Sequence, residues 1–363
     1  MKGEMEAAMD ASTLDADLRY CASSFLMYRT VPRKNKCFTK ALPIRRFERG
    51  NVETVMSSED LERALSRQVQ AACANGRAAL ALSGGIDSAV LAKMMPAGSV
   101  AYTFRCVVPG VEVVDESSRA ALYAAECGLE HRIVEIGWDD VEQFAPKLMM
   151  TKGAPIHSIE VQIYKAALQA KADGFDALIF GESADCNYGG LSGVLSRDWT
   201  IGEYIDRYCF VLPYKVLKEW DMDVSHFEPF VDKNGYVDVH EHFRRFFFVE
   251  SMGSYENAMT LAGLNFFAPY ANTWMGAPLD YGRVRAGENK YLVREIFNRL
   301  YPNWEVPVKT PMPRPTEEWL KSWDGPVRPE FWPHCTDRMT GDQKWLVWSL
   351  EKFLNTIEEA ALI

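Results

Sequence analysis

The sequence predicts an α/β protein in which a parallel sheet is sandwiched by helices and followed by a helical C-terminal part. Between residues 58 and 180, short apolar runs alternate with segments of helical periodicity, which is the pattern of β–α–β units. Glycine-rich turns directly follow two of the apolar runs, at 83–85 and at 181–182. Beyond about residue 198, strand signals fade into long, aromatic-rich helical stretches.

The predicted elements follow one another in a regular order. A helix begins near Ser58 behind a Ser57-x-x-Asp60 capping pattern, with Leu61 and Leu65 on one face. The elements after it are a strand at 78–82, a helix from 89, a strand at 100–104, a helix at 115–127, a strand at 131–136, a helix at 158–173 and a strand at 177–180. Such alternation predicts parallel strands with helices on both faces of the sheet.

These patterns divide the chain into three parts. Residues 1–55 show no sustained helix or strand period, and we interpret them as a leader segment. Residues 56–325 form the main domain, which ends in an extended, proline-rich stretch at 302–315. Residues 326–363 form a C-terminal tail, in which 341–363 is predicted to be a helix.

The composition excludes several classes of protein. A chain of 363 residues with 48% hydrophobic composition can bury a sizeable core. Its 40 Lys and Arg against 50 Asp and Glu give a formal net charge of −10, so we expect no nucleic-acid partner. The eight cysteines include no C-x-x-C pair, which is typical of reduced thiols in a cytoplasmic protein. No export signal and no membrane-spanning apolar run are present, and we expect no membrane association.

The segment Ser-Gly-Gly-Ile-Asp-Ser at 83–88 lies between a predicted strand and a predicted helix. Its two glycines let backbone N–H groups approach an anion closely, and Ser83 and Ser88 add hydroxyl groups. Asp87 fits a phosphate site when Mg²⁺ lies between its carboxylate and the phosphates. The pattern lacks the Gly-Lys-Ser/Thr ending of a Walker A loop and the spacing of G-x-G-x-x-G. The alternative is a tight strand-to-helix turn without a ligand.

A second polar segment, 180–190, follows the fourth predicted strand and carries Glu182, Asp185 and three glycines. Ligands of parallel α/β sheets bind beyond the carboxyl ends of the strands. We therefore expect this segment to converge with 83–88, where Asp185 is placed for a second contact to Mg²⁺. By itself, the segment would be interpreted as a solvated surface loop.

Together, the two segments resemble the synthetase domain of the asparagine synthetase family and its β-lactam synthetase relatives. Segment 83–88 matches the SGG-x-DS loop of the PP-loop ATP pyrophosphatases, and 180–190 is close to G-E-G-x-D-E-x-x-G-G. Further similarities occur in the family's order along residues 55–320, at 103–105, 115–117, 248–269, 290–295 (close to K-x-L-L-R-E) and 306–309. The resemblance implies an adenine nucleotide alpha hydrolase-like fold that cleaves ATP between its α and β phosphates.

The resemblance also implies roles for individual residues. Asp87 and Asp185 would hold Mg²⁺, Lys309 would neutralise charge on the α-phosphate, and Glu182 would lie near the reacting carboxylate and amine. The residues that it assigns to ATP are Leu82, Ser83, Gly84, Gly85, Asp87, Ser88, Phe104 and Gly181. The alternatives are an ordinary exposed lysine for Lys309 and a helix-capping acid for Glu182.

Three departures from the family pattern touch the chemistry. Ser183 replaces a glycine, Cys186 replaces an acid, and Pro307 stands where an arginine is usual. They leave the identity of the substrate open. We interpret Cys186 as a packing residue rather than a reactive thiol.

Glutamine-using members of the family begin with an N-terminal cysteine, whereas the first cysteine here is Cys21. Residues 25–29 and 37–38 are similar to the strand that links glutaminase and synthetase domains in the family. We therefore interpret residues 1–55 as resembling that linker, without the N-terminal glutaminase domain. This leaves open a separate glutaminase subunit as a source of ammonia.

His240 and His242 could suggest a metal site, but i, i+2 spacing on a helix directs two side chains to different faces. We interpret them as part of a solvated helix start.

The leading hypothesis is an ATP-dependent amide-forming ligase that adenylates a small-molecule carboxylate and transfers the acyl group to ammonia or an amine. The cofactors implied are ATP and Mg²⁺. One alternative is a tRNA-modifying or sulfur-transferring PP-loop ATP pyrophosphatase. Another is an ATP-binding relative without catalysis.

Overall fold

The computed structural model describes residues 13–310 and 312–362 of the chain. The first twelve residues of the expected leader, Pro311 in the proline-rich stretch and Ile363 at the end of the expected tail lie outside the described residues. No helix within the described ranges is long and apolar enough to cross a membrane.

The strands of the described residues form one main parallel sheet and two short parallel pairs. They are β1 (Asp15–Ala16), β2 (Lys36–Cys37), β3 (Glu53–Val55), β4 (Ala78–Ala81), β5 (Val100–Cys106), β6 (Glu130–Ile136), β7 (Ala177–Ile179), β8 (Asn265–Phe267) and β9 (Thr273–Met275). The main sheet has the order β6-β5-β4-β7-β8, and all its neighbours are parallel. The pairs are β1-β2 and β3-β9. The predicted parallel sheet is confirmed, with β8 as an additional edge strand.

Helices connect these strands and occupy most of the C-terminal part. The α-helices described are α1 (Leu18–Tyr28), α2 (Ser58–Ala72), α3 (Ile86–Ala92), α4 (Ser117–Cys127), α5 (Trp138–Lys152), α6 (Ile159–Ala172), α7 (Ala184–Asn187), α8 (Ser192–Leu195), α9 (Ile201–Tyr208), α10 (Val239–His242), α11 (Phe248–Ala262), α12 (Tyr281–Arg285), α13 (Tyr291–Leu300), α14 (Thr316–Trp319) and α15 (Gly341–Glu359). A π-helical turn (Phe243–Phe247) joins α10 to α11, and 3-10 turns lie at Pro213–Lys215, Ser225–Phe230 and Pro269–Asn272.

The strand residues alternate between two hydrophobic cores, one on each face of the sheet. In β4, Ala79 and Ala81 belong to one core, whereas Ala78 and Leu80 belong to the other. This is the period-two alternation of a pleated strand with both faces buried. Helices α1, α5, α6, α11 and α15 cover the first face, and α2, α3, α4 and α13 cover the second. The predicted sandwich of helices around a parallel sheet is confirmed.

Helix α1 corrects one expectation for the N-terminal segment. Residues 25–29 do not form a linking strand, because Leu18–Tyr28 is helical and Arg29 is its C-cap. The Asp17 side chain accepts a hydrogen bond from the Tyr20 N–H and caps the first turn. Residues 37–38 do contribute to an extended pair, since Cys37 lies in β2. Helix α1 joins the first core, so this part of the N-terminal segment packs directly against the main domain.

The C-terminal segment also packs against the main domain. Helix α15 contacts α1, α5 and α14, and its buried residues belong to the first core. Within the proline-rich stretch before it, residues 302–303 form a turn, and the described residues 304–310 and 312–315 form neither helix nor strand. The domain boundaries at residues 56 and 326 stay predictions.

Candidate functional site

Two loops of the candidate site lie side by side because the strands that precede them are neighbours. β4 leads into residues 82–85, β7 leads into residues 180–183, and the two strands pair directly. A Cβ added at Gly181 would lie only 2.9 Å from the backbone nitrogen of Ser88. Glycine is therefore required where the loops approach each other. The loops converge as their place after parallel strands predicts.

Segment 83–88 forms a compact turn lined with hydroxyl and N–H groups. The Ser83 N–H donates to Ser88 Oγ at 3.0 Å, the two Oγ atoms are 3.0 Å apart, and the Gly85 N–H donates to Ser83 Oγ at 3.2 Å. Gly85 is the N-cap of α3 and supplies no side-chain acceptor to the first turn of that helix. Backbone N–H groups of an uncapped first turn need an acceptor, and phosphate oxygens are suitable acceptors.

Two carboxylates and two lysines meet beside this turn. Lys290 Nζ lies 2.9 and 2.7 Å from the two carboxylate oxygens of Asp87 and 3.0 Å from Asp185 Oδ1. Lys309 Nζ donates to Asp185 Oδ2 at 2.6 Å. One ammonium therefore bridges the carboxylates of the two loops, and a second ammonium contacts one of them. The predicted residues Asp87, Asp185 and Lys309 are brought together.

The charges of this cluster compensate one another. Burial opposes the ionisation of Asp185, but Lys290 and Lys309 outweigh it and lower the pKa of that carboxyl. Burial raises the pKa of Asp87, and the Lys290 ammonium acts in the opposite direction. Burial would lower the pKa of Lys290, but Asp87 and Asp185 raise it above its ordinary value. Lys290 therefore stays charged between the two aspartates.

Lys290 is a site residue that the sequence analysis did not assign. Its backbone has a left-handed φ of 54° at the N-cap of α13, and its side chain is almost fully buried. It is the first residue of the segment that resembles K-x-L-L-R-E. That position was the available signal, but a charged residue before a helix is usually solvated, and only the tertiary structure brings it to Asp87.

The donor set of the two loops fits Mg²⁺. Mg²⁺ in nucleotide sites is held by one or two carboxylates together with phosphate oxygens and water. Asp87 and Asp185 supply two carboxylates that converge on one cation, here the Lys290 ammonium, and their side chains are partly open to the cavity. The described residues contain no group of three or more His, Cys, Asp or Glu side chains that could hold a metal ion. A metal ion at Asp87 and Asp185 would therefore need further ligands from phosphate or water.

A cavity of about 350 Å³ connects the parts of the site. The predicted site residues that line it are Leu82, Ser83, Gly85, Asp87, Ser88, Phe104, Gly181, Glu182, Asp185 and Lys309. Leu82 directly follows β4, Phe104 lies in the neighbouring strand β5, and both line the cavity together with residues of the turn at 83–88. This suits a ligand that carries both an aromatic base and phosphates.

Gly84 is predicted to bind ATP but does not line the cavity. A Cβ added there would lie 3.1 Å from the Cβ and Oε1 atoms of Glu116 and 3.4 Å from the Cβ of Arg119. Gly84 therefore lets the turn pack closely against the start of α4. Burial raises the pKa of Glu116, which does line the cavity, to about 7.

Glu182 lies on the wall formed by the second loop and α11. Its Oε1 accepts a hydrogen bond from Ser251 Oγ at 2.8 Å, and Tyr255 also hydrogen-bonds to its carboxyl group. Burial raises the pKa of Glu182. A carboxyl group with a raised pKa accepts protons at a higher pH than an ordinary glutamate. Glu182 lines the cavity, and the helix that follows it, α7, has Ser183 as its N-cap without a side-chain capping hydrogen bond.

Another part of the wall is built by residues that the sequence analysis did not single out. Arg29, His157, Glu250 and Arg314 all line the same cavity. Arg29 Nη2 lies 3.3 Å from Glu250 Oε2, and Nη1 contacts His157 Nε2. These residues come from four separate segments, and no local motif connects them.

Two of the departures from the family pattern have a structural explanation. Ser183 has a left-handed φ of 74°, which is the conformation that favours glycine. Cys186 is buried, and burial raises the pKa of its thiol well above the ordinary value. A thiol of this kind packs and does not react, which agrees with the interpretation from sequence.

The interpretation of His240 and His242 as a solvated helix start is wrong. Both side chains are buried, with His240 Nε2 3.2 Å from the Asn187 carbonyl oxygen and His242 Nδ1 2.9 Å from the Tyr204 hydroxyl. Aromatic residues from neighbouring segments cover α10, and local spacing does not reveal this packing.

A parallel α/β sheet with a glycine-rich turn at the carboxyl end of its central strand is the architecture of a nucleotide-binding protein. The sequence matches the asparagine synthase family over residues 58–274, and the chain belongs to that family. The family is one of ATP-utilising synthetases, and the resemblance found in the sequence is confirmed.

The solved structures that the chain matches at low identity and low TM-score include the following three. An NMN synthetase from Francisella tularensis is 14% identical, with a TM-score of 0.26 over 70% of this chain and 99% of that one. An NH3-dependent NAD synthetase from Campylobacter jejuni is 13% identical, with a TM-score of 0.26 over 71% and 100%. A U34-tRNA thiolase from Methanococcus maripaludis is 14% identical, with a TM-score of 0.25 over 69% and 83%. No curated protein matches the sequence.

Proposed function

We propose that this protein is an ATP-dependent carbon–nitrogen ligase that adenylates a small-molecule carboxylate and forms an amide with ammonia or an amine. One observation carries the proposal: a single cavity contains the phosphate-binding turn, the Asp87–Lys290–Asp185 bridge, Lys309 and Glu182. A separate glutaminase subunit would be one source of ammonia.

ATP would bind with its phosphates at the turn 83–88 and its base toward Leu82 and Phe104. Asp87 and Asp185 would hold Mg²⁺, which when bound neutralises phosphate charge. The bridging Lys290 ammonium would then move from the carboxylates toward phosphate oxygens, so that it stays paired with negative charge.

In the first step, a carboxylate oxygen of the substrate attacks the α-phosphorus of ATP, and the bond to pyrophosphate breaks. Negative charge grows on the α-phosphate oxygens in the transition state. The Lys309 ammonium lies 2.6 Å from Asp185, at the edge of the phosphate site, and is more than one-third exposed to the cavity and solvent. A cation at this place would stabilise the transition state more than the bound nucleotide.

In the second step, the nitrogen attacks the acyl carbon of the adenylate, and AMP leaves with the electrons of the broken carbon–oxygen bond. The nitrogen must lose a proton as the amide forms. Glu182 accepts this proton, for which its raised pKa and its hydrogen bond from Ser251 suit it.

The test is carboxylate-dependent exchange of labelled pyrophosphate into ATP, together with identification of the products. The wild-type protein should exchange pyrophosphate in the presence of a suitable acid and Mg²⁺ and release AMP. Asp87→Asn should lose exchange because the cation that organises the phosphates is lost. Lys309→Ala should bind ATP nearly normally but exchange on the order of 10²–10³ times more slowly. Asp337→Asn, which changes an exposed carboxylate, is the matched control.

ADP and phosphate as products would refute adenylation. Wild-type exchange by Lys309→Ala would refute the role of this lysine without affecting the rest of the proposal.

A further inference from the structure

Arg29 is held at the cavity wall by an unusual backbone conformation. It follows α1 with a left-handed φ of 59°, and its N–H donates to the Phe25 carbonyl at 2.7 Å. Its guanidinium lies 4.2 Å from the ring centre of Phe210 and 5.5 Å from that of Phe247. A left-handed arginine is costly unless its surroundings hold it in place. The two rings therefore position the charge at the cavity.

The guanidinium of Arg29 is only partly paired. Its contact with Glu250 is a single one of 3.3 Å, longer than the usual bidentate arginine–carboxylate pair. Its Nε is buried without a hydrogen-bond partner among residues 13–310 and 312–362. Nη1 and Nη2 each carry two N–H groups, and the contacts with His157 and Glu250 use one on each nitrogen, so one N–H on each remains for a ligand.

The contact with His157 does not compensate the charge of Arg29. Arg29 Nη1 contacts His157 Nε2, and the Ile159 N–H donates to His157 Nδ1 at 3.2 Å. Burial, followed by the charges of Arg29, Arg314 and Lys152, lowers the pKa of His157 well below its ordinary value. The ring therefore stays neutral and cannot compensate the guanidinium.

Arg314 adds a second positive charge to the same wall. It lines the cavity, and it lies close enough to His157 to lower that ring's pKa. Its Nε and Nη2 donate to the two carboxylate oxygens of Asp342, at 3.1 and 2.8 Å, and that carboxylate is more than half exposed. Because Arg314 also lines the cavity, an anion there would share its charge with Asp342. Both arginines lie outside residues 58–274, the part that matches the family.

We propose that Arg29 and Arg314 bind a second anionic group of the acid substrate and thereby determine which acid is adenylated. The substrate is then an acid with an anionic group in addition to its reacting carboxylate. Its specificity resides in segments that flank the family domain. This proposal rests on the proposed function of the cavity, because the reacting carboxylate must lie at the α-phosphate while the other group reaches the arginines.

The test measures binding separately from catalysis. Succinate, 3-phosphonopropanoate and butyrate share one carboxylate and differ in the far group. Their affinities are measured by calorimetry on the full chain saturated with Mg²⁺ and α,β-methylene-ATP, and pyrophosphate exchange is measured with ATP. The same comparison is made for the acids that are one methylene longer. The wild-type protein should bind the doubly anionic acids at least about tenfold more tightly than the monoacids, and the two diacid types distinguish carboxylate from phosphonate.

Arg29→Met keeps an apolar stem against Phe210 and removes the charge. Its affinity for the diacids should fall about tenfold to hundredfold, and the KM for the diacids should rise by a similar factor. Its affinity for monoacids and for ATP should be unchanged. Arg29→Lys should recover part of the loss. Arg33→Met is the matched control, because Arg33 is exposed and pairs with Asp223. If Arg29→Met does not fold, Arg314→Gln provides the same comparison.

Equal binding of diacids and monoacids by the wild-type protein would overturn the proposal. A diacid preference that survives in both Arg29→Met and Arg314→Gln would also overturn it. Diacid-selective binding that depends on Arg29, without any exchange, would support the subsite and refute the adenylating function instead.

Discussion

Ser183 shows how one backbone position explains a departure from a family pattern. It is the N-cap of α7 and places Asp185 in the first turn. Its φ of 74° lies in the left-handed region, and its buried Oγ donates to the sulfur of Met252 at 3.0 Å. A serine in this conformation carries a steric cost that glycine avoids.

Ser183→Gly should therefore change the free energy of unfolding by no more than about 1 kcal/mol. The relief of about 1–2 kcal/mol of left-handed strain offsets the greater entropy of the unfolded glycine chain and the lost sulfur contact. Ser254→Gly is the matched control, a buried serine inside α11, and should destabilise the protein by about 1 kcal/mol or more. Urea unfolding measures both. Equal losses in the two variants would show that Ser183 is not strained.

The segments around α10 contain a cluster of aromatic rings with the partly buried His226 and the fully buried His242. His226 lies 4.2 Å from the ring centre of Phe246 and 4.4 Å from that of Tyr28. Both of its ring nitrogens lack a hydrogen-bond partner within the described part of the chain. Burial lowers the pKa of His226 to about 4, with Asp223 acting in the opposite direction. The neighbouring His242 is also held neutral by burial.

The cluster predicts a loss of stability in acid. His226 is neutral when folded but titrates near its ordinary value of 6.5 when unfolded. The unfolded chain therefore binds the proton first, and stability falls as pH decreases from about 6.5 toward about 4. His226→Phe should reduce this loss, by on the order of 2–3 kcal/mol at most. Urea unfolding at pH 7.5 and pH 4.5 measures it.

The control for this prediction is His334→Phe, because His334 is largely exposed. That variant should keep the acid sensitivity of the wild-type protein. An equal pH dependence in His226→Phe and the wild-type protein would show that other groups cause the acid loss.

At the scale of elements, the helices and strands with a clear hydrophobic period could be predicted from the sequence. Elements without such a period were missed, for identifiable reasons. Strand β4 and helix α2 have regular apolar spacing and were predicted. Strand β8 has three residues, too few to show alternation. In α1, every residue from Tyr20 to Tyr28 is buried, so the helix has no polar face and no amphipathic period.

At the scale of the molecule, the flanking helices α1 and α15 share a core with the family domain. Phe25 of α1 is 1% exposed and belongs to that core. Phe25→Ala should destabilise the whole protein by about 3–5 kcal/mol, in one cooperative transition seen equally by far-UV circular dichroism and by loss of nucleotide binding.

Leu122→Ala is the control for Phe25→Ala, since Leu122 is 58% exposed and its removal should cost no more than about 0.5 kcal/mol. Similar losses for the two variants would show that α1 is not part of the cooperative core.

The candidate site could be predicted from sequence where a motif follows a strand. The turn at 83–88 and the loop at 180–190 met this condition, and the pairing of β4 with β7 brings them together. Arg29 and Arg314 met no such condition. They reach the cavity through the packing of α1 and the proline-rich stretch, which is decided by contacts between residues far apart in sequence.

The Lys290 bridge means that the site carries its own counter-ion. Without it, Asp87 and Asp185 would repel each other across the two loops, which the pairing of β4 with β7 keeps adjacent. With the ammonium between them, the two carboxylates are already held close together before a ligand binds. Under the proposed function, nucleotide binding would exchange one positive partner for another instead of assembling the site. The bridge is mostly shielded from solvent, so added salt should weaken it only slightly. Salt should have a larger effect on the binding of charged substrates from solution.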